Sequence, residues 1–294
     1  MEYAEKNRTI DGMLYLVATP IGNLSDLSPR ALKVLEEVDF IAAEDTRNSL
    51  HLLTHFGLRR PLVSYHEHNK NKRGPEIVAR LLAGESCALI TDAGMPAVSD
   101  PGEDLVRLCA EAGIAVTCIP GCNAVLTALA LSALSSRRFC FEGFLPVPNT
   151  ERRERLDALK HERRTTVLYE APHRLIDTLQ DLRDTLGGAR RISLCRELTK
   201  RNEEIRRTTL DDAIAAYSAQ SPRGEYVLVL EGAEEAGLPL PEQREDSAAL
   251  CSLSPEEHVR HYTDAGLERM AAIKAAARDR GMSKSQFYRL VAKD

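Results

Sequence analysis

Short, nearly continuous apolar runs recur along the first 134 residues, at 13–18, 40–43, 61–64, 87–91 and 114–119. Runs of this length without polar alternation predict strands buried on both faces. Between them the period lengthens to that of a helix. Ser28 is placed to cap a helix with Pro29 at its first position, and Ala31, Leu32, Leu35 and Val38 form one apolar face. Further helices are expected at 50–56, 75–83 and 105–112, each followed closely by a glycine, and at 124–134, where Asn123 serves as cap. The last of these is apolar nearly all round, which predicts burial. Five strands alternating with helices predict a parallel sheet.

Near 135–138 the pattern changes. Strands are expected at 139–144, 165–169, 191–196 and 224–232, with an arginine-rich helix at 150–161 and a leucine-rich one from Leu175 to Leu186, ended by Gly187. A second α/β layer follows from this. Residues 233–254 turn to Glu, Ala, Pro and Ser without period, which reads as a linker. Short helices at 255–265, 267–280 and 284–293 then have the spacing of a small helix-turn-helix element. The expected organisation is an N-terminal tail 1–12, α/β domains 13–134 and 135–232, the linker, and a helical tail 255–294.

Polar residues collect where strands end. The segment Leu89-Ile-Thr-Asp-Ala-Gly-Met-Pro-Ala-Val-Ser-Asp-Pro-Gly102 leaves a strand for an irregular loop rich in small residues. Ligands sit beyond the carboxyl ends of strands in open α/β sheets, and this loop is longer than the usual connection of about 2–6 residues. Ala93 and Gly94 permit close backbone approach, Pro96 and Pro101 fix the path, and Asp92 and Asp100 bring charge. The strand ends at 44–47, 65–73, 170–174 and 197–200 are polar in the same way.

Composition narrows the class. The 294 residues carry 39 Lys and Arg against 44 Asp and Glu, a net charge of −5, with 43% hydrophobic residues, the profile of an ordinary soluble enzyme. Seven scattered cysteines predict free thiols and a cytoplasmic setting. Cys118 and Cys122 lack a second pair at zinc spacing, so they are read as structural thiols and no metal site is expected. The N-terminus has no apolar signal region and no run is long enough to span a membrane. Glycine-rich dinucleotide and P-loop signatures are missing, as is the hydrolase nucleophile elbow. Positive charge is local. Residues 152–207 hold 15 Lys or Arg against 10 Asp or Glu, and residues 258–294 hold 8 against 4. Both surpluses suit a phosphate-rich partner, with Tyr65, Phe287 and Tyr288 as stacking candidates; a plain solvated face is the alternative.

The ordered set LYLVATPIGNLSDLSPRA, AEDTR, LITDAGMPAVSDPG, PGCNA, LYEAPHRL and GEYVLVLEG, spanning residues 13–232, resembles the ribosomal RNA small-subunit 2′-O-methyltransferase I family of the tetrapyrrole methylase-like superfamily. The resemblance implies two α/β domains of the tetrapyrrole methylase type with S-adenosylmethionine in the cleft between them, small-subunit ribosomal RNA or the 30S subunit as substrate, and a homodimer. Its implied reaction is methylation of a ribose 2′-hydroxyl, at a cytidine of the decoding region. By the same carry-over Pro20, Asp92, Ala93, Gly94, Met95, Val98, Ser99, Asn123, Ala124, Tyr169, Glu170 and Tyr226 would bind the cofactor. The superfamily's glycine-aspartate-proline loop falls on Ala93-Gly94-Met95, a departure that backbone contacts survive because they need small residues rather than one side chain.

Methylating a hydroxyl requires in-line alignment and a proton acceptor within reach of the oxygen. Glu170 and Glu197 are the preferred bases, on the expectation that a drying cleft raises a carboxyl's pKa, with His173 next. Asp45, Arg47, His66, Asn69, Arg174, Arg196 and Lys200 are expected around the substrate. Plainer readings stand beside these: an Asp45–Arg47 ion pair, solvated loop histidines at 66 and 68, surface residues at 173 and 174, and Glu197 paired to an arginine. Tetrapyrrole C-methylation is the rival enzyme reading, and a non-catalytic RNA-binding or assembly protein the rival outside enzymology.

Overall fold

The computed structural model describes residues 8–147, 149–218, 221–237, 250 and 252–291, and these fall into two compact units, one up to Ala236 and one from Gly237 on. In the first unit, β1 (Leu14–Val17), β2 (Phe40–Ala43), β3 (Leu62–Ser64), β4 (Cys87–Ile90) and β5 (Val116–Ile119) form an all-parallel sheet in the order β3-β2-β4-β1-β5. Every residue of β2 and β4 is buried, as their unbroken apolar character requires. The connecting helices are α1 (Pro29–Glu37), α2 (Thr46–His55), α3 (Lys70–Leu82), α4 (Gly102–Glu111) and α5 (Ala124–Leu131).

The Ser28 cap and Pro29 of α1 are where the sequence puts them, the Ser28 hydroxyl accepting from the Ala31 amide at 3.1 Å. Three of these helices begin earlier than expected, α4 at Gly102 among them. Helix α2 starts at Thr46 because the Asp45 side chain accepts from the Arg47 amide as its N-cap. Helix α3 starts at Lys70, with Pro75 inside it rather than at its head. Proline there removes one helical hydrogen bond, and packing of Gly74, Ile77 and Leu81 holds the helix regardless.

The second sheet has the order β6-β7-β10-β8-β9 and mixes directions. It comprises β6 (Phe139–Phe144), β7 (Thr165–Glu170), β8 (Arg191–Arg196), β9 (Glu204–Thr209) and β10 (Tyr226–Leu230). Only β6 and β7 are parallel, and β10 lies antiparallel between β7 and β8. Helices α6 (Asn149–Leu159), α7 (Leu175–Leu186) and α8 (Leu210–Ser218) complete this half. Strand β9 and helix α8 were not expected from the sequence, because Glu-Ile-Arg-Arg-Thr-Thr at a sheet edge carries no apolar run.

Helix α5 joins the halves. It follows the first sheet, yet Val125, Ala128 and Leu129 pack with Val167, Cys195, Val227 and Val229 of the second. Burying a valine or leucine contributes about 1.5–3 kcal/mol, so this face fastens the halves together. Its opposite face is open, with Leu126 54% exposed, so the expectation of a helix buried all round is corrected.

The described residues of the second unit include the helices α9 (Pro255–Asp264), α10 (Arg269–Asp279) and α11 (Lys284–Val291). Ser254 and Glu257 form a reciprocal capping box at the head of α9, and Val259, Ala272, Ile273, Ala276, Ala277 and Phe287 form the core. Among the described residues no helix is long and apolar enough to cross a membrane. The expected linker and N-terminal tail lie largely outside the described residues.

Candidate active site

Strand β4 ends at Ile90 and the chain runs irregularly to α4, as its composition demands. Thr19 and Gly94 exchange backbone hydrogen bonds of 2.9 and 3.0 Å, tying this loop to the one after β1. Within the loop the Asp100 carboxylate accepts from the amides of Ala97, Val98 and Gly102 at 3.0, 3.3 and 2.7 Å. Asp100 is therefore the organiser of the loop rather than a free charge. Gly94, Ala97 and Ser99 all have left-handed backbones, with φ of 86°, 66° and 63°. Such conformations cost about 1–3 kcal/mol at a non-glycine residue and collect at ligand sites.

Beside this loop lies a cavity of about 590 Å³, of ligand-binding size. The first half supplies Ile21, Glu44, Asn123 and the Thr91–Asp100 loop, and the second half Phe144, Tyr169, Glu170 to His173, Glu225, Tyr226 and Val227. The halves meet closely around it. A Cβ built on Gly22 would stand 2.4 Å from Lys200 Cγ and 2.9 Å from the Leu198 carbonyl, and the Asn23 amide donates to Thr199 Oγ1 at 3.1 Å.

Of the residues expected at the cofactor, Asp92, Ala93, Gly94, Met95, Val98, Ser99, Asn123, Ala124, Tyr169, Glu170 and Tyr226 line this one cavity. Pro20 instead lines a neighbouring recess of about 220 Å³ with Asn48 and His51. The expected bases separate. His173 is on the wall. Glu170 is there too, but its side chain is 1% exposed and both oxygens are engaged, by the Thr178 hydroxyl at 2.5 Å and the Ala171 amide at 2.9 Å. Glu197 is off the wall, bonded to Lys200 Nζ at 2.9 Å and the Glu225 amide at 3.0 Å. Burial raises its carboxyl, but those two hydrogen bonds and the lysine charge outweigh burial and hold it below the usual value. The expected upward drift is thus reversed.

The residues expected around the substrate are not on the cavity wall. Asp45 caps α2 and pairs with Arg47 at 2.8 Å, hydrogen bonds that hold its carboxyl at about 2; the plainer ion-pair reading describes these two. Asn69 bonds the His66 amide and the Ser64 carbonyl, shaping the turn after β3. Arg174 donates to the Leu145 carbonyl, Arg196 to the Arg223 carbonyl, and Lys200 bridges Glu197 and Glu225. Of the three stacking candidates, Tyr65 and Phe287 are buried in cores and Tyr288 alone is open, at 47% exposure.

Glu44, like Glu225, is a wall carboxylate that sequence reading passed over. It directly precedes Asp45, and the N-cap signature at Asp45 would have separated their roles. Its Oε2 accepts from Thr91 Oγ1 at 3.0 Å. Burial raises its carboxyl above the ordinary value, and the charges of Asp92 and Asp100 raise it further against that hydrogen bond. No group of three or more His, Cys, Asp or Glu set to hold a metal occurs among the described residues. Cys118 and Cys122 are both free, with thiols that burial pushes up.

Residues 13–214 match the family Tetrapyrrole (Corrin/Porphyrin) Methylases. The chain is 45% identical over 279 residues to a Synechocystis protein named ribosomal RNA small subunit methyltransferase I, covering 95% of this chain and 97% of that one. It is 47% identical over 285 residues to the protein of that name from Halalkalibacterium halodurans, covering 97% and 96%. Among solved structures it is similar to a uroporphyrin-III-C-methyltransferase from Thermus thermophilus, with a TM-score of 0.55, 21% identity and coverage of 78% and 99%. Another structure of a Thermus uroporphyrin-III C-methyltransferase, complexed with S-adenyl homocysteine, has a TM-score of 0.54 at 17% identity, with coverage of 74% and 97%. At these identities the structures speak for the fold alone, whereas the near full-length relatives speak for descent: this chain belongs to the ribosomal RNA small subunit methyltransferase I family, within the tetrapyrrole methylases.

Proposed function

We propose that this chain transfers the methyl group of S-adenosylmethionine to a ribose 2′-hydroxyl of small-subunit ribosomal RNA, at a cytidine of the decoding region. The observation that carries the reading is one cavity walled by both halves, with eleven of the twelve residues expected at the cofactor on its surface. The cofactor supplies an electrophilic methyl group on a sulfonium.

The residues present fit such a cation. Tyr169 and Phe144 bring aromatic rings to the wall, where a cation over a ring face is stabilised by about 0.5–2 kcal/mol, and Asp92, which is in no ion pair among the described residues, adds negative charge. Gly94 keeps the approach narrow: a Cβ there would stand 3.3 Å from Ile21 Cγ2. What this chain contributes to the reaction is alignment, since holding reacting groups in line can supply about 7–11 kcal/mol of the barrier. The strained 94–99 loop, braced by Asp100, is the rigid element that performs it. The basic surplus of the helical tail is read as contact with RNA phosphates, and a cytoplasmic homodimer belongs to the same proposal.

The test is methyl transfer from labelled S-adenosylmethionine to small subunits from a strain lacking this activity. We expect one labelled nucleotide, resistant to alkaline cleavage because its 2′-oxygen is blocked. Label on a base, on a tetrapyrrole only, or nowhere would overturn the reading.

A further inference from the structure

We propose that Glu44 takes the proton from the ribose hydroxyl as the methyl group is transferred, an inference that rests on the function proposed above. Five carboxylates stand on the cavity wall: Glu44, Asp92, Asp100, Glu170 and Glu225. Four are committed to the protein itself. Asp92 accepts from the Asp45 amide and the Asn48 side chain at the head of α2. Asp100 holds three loop amides, Glu170 holds Thr178 and Ala171, and Glu225 pairs with Lys200 at 2.8 Å. Glu44 alone is without an ion pair or a backbone amide on its carboxylate among the described residues. Its one partner is the Thr91 hydroxyl on Oε2, and Oε1 carries no hydrogen bond among them.

The sheet dictates this placement. In the parallel register Ala43 lies opposite Ile90 on one side and Ser64 on the other, so the next residue of each strand, Glu44, Thr91 and Tyr65, leaves the same edge of the sheet. Thr91 orients the carboxylate from one side. His66 follows on the other, its Nδ1 buried without a partner among the described residues. The titratable groups facing Glu44 are therefore His66, Asp92 and Asp100. The two aspartates and burial favour the protonated form, which suits a group that must accept a proton, whereas His66 opposes them.

The step balances. The hydroxyl proton passes to Glu44 Oε1, the oxygen pair forms the new bond to carbon, and the carbon–sulfur bond breaks with its pair left on sulfur. The products are a 2′-O-methyl ribose, S-adenosylhomocysteine and a neutral Glu44, which returns its proton to water after release.

Glu44→Gln keeps shape and the Thr91 contact but accepts no proton at neutral pH. Under single-turnover conditions with saturating cofactor and small subunits, we expect its transfer rate to fall by about 10²-fold or more, as for loss of a general base. Affinities for both ligands should change only a few-fold. The wild-type rate should rise with pH through one ionisation that the variant lacks, and Glu44→Asp should retain that ionisation at a reduced rate. An unchanged saturated rate, a loss confined to cofactor affinity, or a variant with the wild-type pH profile would overturn the assignment while leaving the proposed function standing. A wild-type protein that leaves ribosomal RNA unlabelled overturns both.

Discussion

The two sheets meet one cavity with carboxylates in opposite conditions. At the end of β7, Glu170 is sealed, its side chain 1% exposed and both oxygens taken. At the end of β2, Glu44 is half-buried with a single neutral partner. Both are glutamates just at or past the last residue of a central strand. Strand-end position thus brings both to the cavity wall, and only the account of hydrogen-bond donors tells them apart. The network around Glu170 explains its state: Thr178, which donates to it, in turn accepts from Arg152, which pairs with Asp181. Its role is to lock α6, α7 and β7 together.

The contrast can be broken most directly at Glu170. Glu170→Ala strands a buried hydroxyl, an amide and the charge of Arg174, and should cost about 3 kcal/mol of stability. Denaturant unfolding that leaves the midpoint unmoved would mean that Glu170 is available for chemistry after all. A smaller effect is expected at Gly94, whose φ of 86° no β-branched residue adopts comfortably. Gly94→Val should weaken S-adenosylmethionine binding by about tenfold, a difference of about 1.4 kcal/mol, in a protein that still folds. Calorimetry showing full affinity would move the cofactor off this loop.

Next comes Asp45, assigned here to a helix cap. Asp45→Ala should lower the melting temperature through the lost cap, with methyl transfer per folded molecule intact. A drop in transfer with stability retained would restore Asp45 to the substrate. The smallest effect concerns pH and sharpens the comparison. The Glu197 carboxyl is held below its unfolded value, so its contribution is complete at neutral pH and disappears as pH falls through the folded value. The Glu44 carboxyl is raised, so it costs stability as pH climbs through its folded value and the cost persists at neutrality. Melting temperatures at pH 7 should therefore fall for Glu197→Gln and rise slightly for Glu44→Gln. Shifts of the same sign would erase the distinction between a structural and a reactive carboxylate.

The elements with strong apolar periods were legible in the sequence, and so was the 91–102 loop, because small residues and prolines between a buried strand and an amphipathic helix admit few other structures. Strand β9 was not, since an edge strand with both faces partly wet needs no apolar alternation. Pro75 concealed the first turn of α3 for a related reason: local propensity argued for a loop, and packing overrode it. At the site, most of the small and apolar residues singled out from the sequence lie on the cavity wall, whereas most of the charged ones do not. A glycine that must be small has one meaning, whereas an arginine such as Arg196 or Arg174 serves a phosphate or a carbonyl equally well, and here each caps a carbonyl.

The strand orders have a consequence for how the protein is made. In the first sheet the two strands last in sequence, β4 and β5, flank β1, so this half has all its strands once residue 119 has been synthesised. In the second sheet the last strand, β10, lies between β7 and β8. Until residues 226–230 are synthesised, the β6–β7 pair and the β8–β9 hairpin are separate pieces with unpaired inner edges. A nascent chain therefore has every strand of its parallel half before those of the second, and carries an open, apolar second half until β10 is made, the interval in which such edges are prone to aggregate.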